Sequence, residues 1–223
     1  MARYMITHSL LSSWLYSMKE NPYEDATTER DAREEFLSTL RREPSETSFA
    51  MQKGIDFENL ITAVIEGRPT ALYHWQNKDT KEIREKVYST ADHPWYMAAS
   101  QIAKELDGHL LQFKAKREVA VSGMKILLYG RLDGLGAGTI TDTKYTSNYE
   151  HGKYFDSTQH PMYFELVPEA NTFIYTVSNG KDVWHETYLR ERTPSIIPTV
   201  SAFLDYLTAA GLMPVFKEHW KAL

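Results

Sequence analysis

The 223 residues include no cysteine, which excludes disulfides, zinc-thiolate centres, a cysteine nucleophile and a Cys-ligated iron-sulfur cluster. No window approaches the ~18 apolar residues that a membrane-spanning helix needs. The stretch from Met1 to Met18 has no basic start leading into an unbroken apolar block, so the expected location is cytoplasmic and no membrane partner is expected. An excess of positive charge is also missing, since 25 Lys plus Arg against 30 Asp plus Glu give a formal charge of -5. Any phosphate-binding surface must therefore be a local basic patch on an acidic body. There is no G-x-x-x-x-G-K-[ST] loop to hold a nucleotide, and the eight histidines show no H-E-x-x-H or similarly tight ligand spacing. His74, His93, His109, His160, His185 and His219 read as surface or satisfied core residues. No repeat or Pro/Gly/Ser-rich linker divides the chain, and at ~150 residues per domain the length favours one domain over residues 1–223.

What is present begins as helix. Ser9 to Met18 carries Leu10, Leu11, Trp14, Leu15 and Met18 at three- and four-residue steps, ended by Asn21-Pro22. Glu29 to Arg42 is a charged helix with Phe36, Leu37 and Leu40 on one side and a Glu29 to Arg33 i,i+4 pair. Between Thr47 and Glu66, the residues Phe57, Leu60, Ile61, Val64 and Ile65 form one stripe, stopped by Gly67 and Pro69. Trp95, Ala98, Ala99, Ile102 and Leu106 mark another helix, with Pro94 placed for its first turn and Gly108 for its cap.

The period then changes to two. Leu111 to Ala120 alternates Phe113, Ala115 and Val119 against Lys114, Lys116 and Glu118, the pattern of a strand with one wet face. Lys125 to Leu132 is a second strand, Gly134, Gly136 and Gly138 form a turn, and Thr139 to Tyr145 completes a meander. A polar run to His160 leads to a short helix near Pro161 to Leu166. Strands at Thr172 to Val177 and Val183 to Leu189 flank the hairpin signal Asn179-Gly180. Val200, Phe203, Leu204 and Leu207 mark a closing helix that Gly211 can cap. This order predicts a mixed α+β (α/β) domain, with a central mixed sheet of about five strands flanked by helices. Residues 1–50 would be a helical extension, 51–190 the core and 191–223 C-terminal helices.

The chemistry concentrates in Gly130-Arg131-Leu132-Asp133-Gly134 and Ile140-Thr141-Asp142-Thr143-Lys144. Residues two apart on a strand share a face, so Asp142 and Lys144 present a carboxylate and an ammonium together. A tight connection would return the chain beside Asp133, bringing two carboxylates within reach of one hard cation such as Mg²⁺. An Asp-Gly turn and a solvated Asp-x-Lys face are the plain alternatives. Glu58 lies at the edge of the apolar stripe, where a part-buried carboxylate needs a partner, and Gly54 one turn earlier would admit a close approach. Gln159 and Tyr163 stand four apart on one helix face, with Gln159 in a first turn suited to phosphate. Lys114, Lys116, Arg117, Lys125 and Arg131 form a basic run. Tyr145, Tyr149, His151, Lys153 and Tyr154 interleave rings with cations, as single-strand binding surfaces do.

Gly54-x-x-x-Glu58, Asp133 after Gly-Arg-Leu, Asp142-Thr143-Lys144 and Gln159-x-x-x-Tyr163, in this order, resemble the PD-(D/E)XK nuclease superfamily, in particular its RecB-like and phage recombination exonuclease branches. The match spans Gly54 to Tyr188. It implies a restriction-endonuclease-like core and a Mg²⁺- or Mn²⁺-dependent DNA nuclease, more an exonuclease than an endonuclease, acting in recombination or repair. Asp133, Asp142 and the Thr143 carbonyl would be metal ligands, and Glu58 a further acidic ligand or water-positioning group. Lys144 would orient the attacking water, with Gln159 and Tyr163 supporting the site and the DNA backbone. Lys114, Lys116, Arg131, Tyr145 and Lys153 are the further candidates for DNA contact. DNA is the expected substrate. A single-strand annealing or recombination protein, or a helicase on another chain, is the expected partner, and a phage or prophage origin is implied. The triplet opens with Asp rather than the commoner Glu, and Glu58 stands where many RecB-like nucleases have His. The iron-sulfur cluster of several relatives is excluded by the missing cysteines. The alternative is a nuclease-fold protein that has lost catalysis and serves as a DNA-binding or partner-docking module.

Overall fold

The structure, a computed structural model, describes residues 3–19, 26–77 and 79–222. Asn21 and Pro22 lie outside the described residues, as does the side chain of Glu29. The strand β1 (Tyr4–Ile6) leads into the helices α1 (His8–Ser17), α2 (Ala26–Leu40) and α3 (Phe49–Ile65). A hairpin, β2 (Thr70–Gln76) and β3 (Ile83–Ser89), precedes α4 (Tyr96–Glu105). The meander is β4 (Leu110–Val121), β5 (Met124–Leu135) and β6 (Thr139–Tyr145), followed by α5 (Gln159–Leu166), β7 (Thr172–Ser178), β8 (Val183–Leu189), α6 (Ile197–Ala209) and α7 (Met213–His219).

Local chemistry explains the helix starts. Thr7 caps α1 by accepting the Leu10 N–H at 3.3 Å, and Ser48 caps α3 by accepting the Met51 N–H at 3.2 Å, each satisfying one of the donors that a helix start leaves open. The expected apolar stripes are the buried ones: Leu10, Leu11 and Trp14 on α1, and Phe57, Leu60 and Ile61 on α3. Two apolar clusters result. The larger joins Ile6, Leu10, Phe36, Leu128, Phe173, Phe203 and Phe216, and so carries both ends of the chain into the main core. The smaller packs α3 on α4 around Phe57, Trp95 and Ile102.

The fold is mixed α+β, with a six-stranded main sheet among the described residues in the order β1-β5-β6-β7-β8, and β4 along the other edge of β5. The β1–β5 and β6–β7 pairs are parallel and the others antiparallel. The sequence predicts about five strands and a helical extension over residues 1–50. Three residues near the start instead form a sheet strand, with Tyr4, Met5 and Ile6 opposite Ile126, Leu127 and Leu128. No hairpin is expected where β2 and β3 form, whereas α6 and α7 stand where C-terminal helices are expected. Gly134 belongs to β5 rather than to the following turn. The β7–β8 connection is longer than a two-residue turn, since Ser178 pairs with Val183. Asn179 Oδ1 holds that connection by accepting the N–H groups of Lys181 and Asp182. Gly180 is required within it, because its φ is +90° and a Cβ would lie 2.3 Å from the Trp95 ring.

One detail of β5 positions everything that follows. Along one edge it pairs with β4 for almost its whole length. Along the other it carries β1 at Ile126 to Leu128 and β6 only at Gly134 and Leu135. Residues 129–133 therefore have no strand beside them on that edge, and a gap opens in the sheet. Among the described residues no single helix is long and apolar enough to cross a membrane.

Candidate active site

The gap is an open cleft of about 320 Å³, lined among others by Glu58, Arg131, Asp133, Asp142, Thr143, Lys144, Gln159 and Tyr163. Every residue of the four motifs read from sequence, Gly54 excepted, therefore reaches one place. Gly54 has open space around it, with nothing within 4 Å of where a Cβ would stand, so no other described segment of the chain approaches it closely.

Each acid is held differently. Asp133, on β5, accepts the Thr143 N–H on Oδ2 at 2.9 Å, so a side chain takes the bond that a ladder carbonyl would otherwise make and β6 is free to diverge from β5. Asp142, on β6, is 3% exposed. Its Oδ1 accepts from Gln159 Nε2 at 2.5 Å, and its Oδ2 lies 2.8 Å from Lys144 Nζ. Glu58, on α3, is about half-exposed, with Arg131 Nη2 3.9 Å from Oε1.

The electrostatics follow from this crowding. Asp133 is pushed up to about 7, first by burial and then by the charge of Asp142, with Glu58 adding to the effect and the Thr143 N–H and Lys144 opposing it. Burial alone would lower the Lys144 ammonium, but the charge and hydrogen bond of Asp142, with Asp133, together raise it above its ordinary value, so it stays charged. Burial, then Asp142, pushes the Tyr163 phenol up to about 12. The cleft thus holds more negative charge than its cations offset.

Several residues there escaped the sequence reading. Thr7, His8 and Ser9, at the start of α1, line the cleft beside Tyr129. His8 is lowered to about 4 by burial and by Lys144, so its imidazole is neutral near pH 7. Gln112, on β4, is the other omission. Its Nε2 donates to Glu58 Oε1 at 3.0 Å and to Asp133 Oδ1 at 3.3 Å. Neither residue had a signal: a histidine at a helix start and a glutamine in the wet register of a strand look ordinary until the chain is folded.

The structure reassigns several candidates for DNA contact. Gln159 and Tyr163 are 4% and 3% exposed, and they brace the site rather than offer a surface. Gln159 holds Asp142, and the Tyr163 hydroxyl donates to Arg131 O at 2.9 Å. Tyr145 packs its ring against Trp95 and Phe57, with centroids 4.9 and 5.6 Å away. Tyr149 stacks on Trp184 and Tyr154 on Tyr175, so these rings are occupied within the protein. Lys153 Nζ closes its own loop by donating to Thr146 Oγ1 and Asn148 O, and Arg117 is bound to Glu165. Lys114 and Lys116 remain exposed. They stand opposite Arg131 and Tyr129 in the β4–β5 register, which places them on the same sheet face as those two cleft-lining residues.

The oxygen donors suit a hard divalent cation in kind, and the surplus negative charge at Asp133 is what such an ion would relieve. Among the described residues, however, no group of three or more His, Asp or Glu side chains is gathered tightly enough to hold a metal ion as it stands. The Gln112 amide lies between two of the acids. A larger cleft of about 570 Å³ is lined by Glu105, His109, Thr141, Thr176, His185 and Thr187. It opens on the opposite sheet face from Asp142, by the alternation of Thr141 and Asp142, and has only Glu105 as an acid.

No protein-family model and no curated protein matches the chain. Two solved structures share distant likeness. One is described as "Crystal structure of SSO0001", with 13% identity and a TM-score of 0.39 over 51% of this chain and 55% of that chain. The other is S. pombe Rai1 in complex with 3'-FADP, with 12% identity and a TM-score of 0.31 over 74% of this chain and 63% of that chain. The chain thus spans less than two thirds of either, and likeness at this level carries no inference about activity. The functional reading rests on the cleft itself.

Proposed function

We propose that the chain is a PD-(D/E)XK-type, metal-dependent DNA nuclease, acting as an exonuclease in recombination or repair. The supporting observation is that Glu58, Asp133, Asp142 and Lys144, drawn from α3, β5 and β6, line one cleft with a charged lysine against the deepest acid. Glu58, Asp133, Asp142 and the Thr143 carbonyl would hold Mg²⁺ or Mn²⁺. Bound there, the ion supplies a water acidified toward hydroxide and neutralises charge on the phosphate. The protein groups do the rest. Gln159 fixes the rotamer of Asp142, and Lys144 places a permanent positive charge where charge develops in the transition state. His8, being neutral, can orient a water or a phosphate oxygen through a hydrogen bond from its ring without adding to the local charge. Lys114, Lys116 and Arg131 would take the DNA backbone as it crosses the sheet face.

The test is incubation of the purified protein with end-labelled linear and with closed circular DNA, varying Mg²⁺ and Mn²⁺. Release of label from linear DNA alone, abolished by chelator and by Asp142→Asn, is the expected result. Cleavage that survives both treatments overturns the reading. The second reading, a docking module without catalysis, is favoured by the ungathered acids; it predicts DNA binding with neither cleavage nor heat on adding Mn²⁺.

A further inference from the structure

Gln112 stands directly across the ladder from Asp133. Leu111 pairs with Gly134 and Phe113 with Leu132, and the position between them is left unpaired. The backbone there is unusual, with a φ of +51° at Gln112, a left-handed conformation that costs a side-chain-bearing residue roughly 1–2 kcal/mol. Such strain persists only where the surroundings hold it, and it collects at functional sites.

The side chain is as unusual as the backbone. One nitrogen, Nε2, is shared between Glu58 and Asp133, which makes it the only hydrogen-bond donor that the described residues place between these two acids. The other end of the amide, Oε1, is buried with no hydrogen-bond partner. The charges fix that orientation, since the nitrogen must face the carboxylates. The amide therefore presents positive hydrogens at the point the two acids share, while its carbonyl, a hard oxygen donor, goes unused.

Resting on the metal-dependent reading above, we propose that Gln112 is a placeholder for the divalent cation and becomes one of its ligands. In the metal-free chain its N–H groups keep Glu58 and Asp133 together. With an ion held by Glu58 and Asp133, Gln112 would give up its place between them and offer its unpartnered Oε1 as an oxygen ligand. A glutamine carbonyl belongs to the oxygen set that Mg²⁺, Mn²⁺ and Ca²⁺ accept.

The experiment measures binding of Mn²⁺ by calorimetry to the full chain and to Gln112→Met, Gln112→Glu and Asp142→Asn, each checked for folding by circular dichroism. In parallel, the Gln112 side-chain NH₂ resonance, assigned by its loss in Gln112→Glu, is followed by NMR during a Mg²⁺ titration of the wild type. Gln112→Met is expected to weaken Mn²⁺ binding about ten- to a hundredfold, and Gln112→Glu to tighten it. The NH₂ signal should move along the Mg²⁺ saturation curve. Unchanged affinity in both Gln112 variants, or a stationary NH₂ signal while Mg²⁺ binds, overturns the proposal and leaves the metal site intact provided Asp142→Asn still loses Mn²⁺. A wild type that takes up no Mn²⁺ removes the metal-dependent reading and this proposal with it. If Gln112→Met does not fold, the wild-type NH₂ titration decides.

Discussion

Lys144 Nζ lies 2.8 Å from Asp142 Oδ2, and Asp142 is 3% exposed, so the lysine is the counter-charge that lets this carboxylate stay in the interior. An exposed lysine could be removed with folding nearly intact. The geometry says otherwise, because an ion pair broken on one side leaves a desolvated charge. Lys144→Ala should lower unfolding free energy by about 2 kcal/mol, between the values for exposed and for fully buried pairs. Combining Asp142→Asn with Lys144→Met should recover most of it. Urea titrations of the wild type and the two variants measure this, and equal stability of all three would rule it out.

The pH dependence follows from Asp133. Its folded-state value, about 7, lies above the ordinary 3.8, so between those values the folded chain keeps a proton that the unfolded chain has lost. The contribution to stability is complete below about pH 4 and is lost as pH rises through about 7. The metal-free thermal midpoint should therefore fall across that window more steeply in the wild type than in Asp133→Asn. Cation binding must expel the same proton. Calorimetry at pH 6 in buffers of different ionisation heat should show proton release, and at pH 8 almost none.

Gly130 lies against α5. A Cβ there would stand 2.6 Å from Tyr163 Cε1 and 2.8 Å from Leu166 Cδ1, and both side chains are buried. Gly130→Ala should cost about 1–3 kcal/mol and move the helix that carries Gln159. The check pairs a melting curve with a nuclease assay at a temperature where the variant is folded. Full activity there would show that the position of α5 does not matter to the site.

Arg190 secures the other end of the same helix. Its guanidinium donates to the carbonyls of Phe164, Val167 and Ala170, each at 2.6 Å, where a helix leaves acceptors open and favours a cation. Arg190→Met keeps most of the stem and removes the donors, with an expected loss of about 2–3 kcal/mol. Hydrogen exchange should then rise first in α5 and the turn that follows it.

Lys114 and Lys116 supply the DNA prediction. If both meet phosphates, the double change Lys114→Ala and Lys116→Ala should lower the slope of log K against log salt by about 1 to 2, leaving chain stability unaltered. Fluorescence anisotropy with an end-labelled duplex in Ca²⁺ measures the slope, and an unchanged slope would move the DNA path elsewhere.

The parts of the fold legible from sequence were those with one wet and one dry side. The alternation of Phe113, Ala115 and Val119 with lysines located β4, and the stripe of Phe57, Leu60 and Ile61 located α3. The hairpin of β2 and β3 carries no such signature, because Leu72, Trp75, Ile83 and Val87 are all substantially exposed and Arg84, Glu85 and Lys86 interrupt any period. Three residues of β1 are too few to show one. At the site, the acids were legible because Asp142 and Lys144 sit two apart on a strand, whereas Gln112 shares its register with Lys114 and Lys116 and reads as surface. Tyr145 and Tyr163 were read as contacts because the ring of a tyrosine in sequence gives no hint of whether another ring covers it.

The short strand Tyr4–Ile6 has a consequence out of proportion to its size. It docks on β5 just upstream of the gap and delivers Thr7, His8 and Ser9 directly to the cleft wall, more than a hundred positions ahead of Asp133 and Asp142. Trimming the amino end to residue 7, or crowding it with a bulky fusion, would therefore strike the reaction centre itself, although every charged group in that centre would still be encoded.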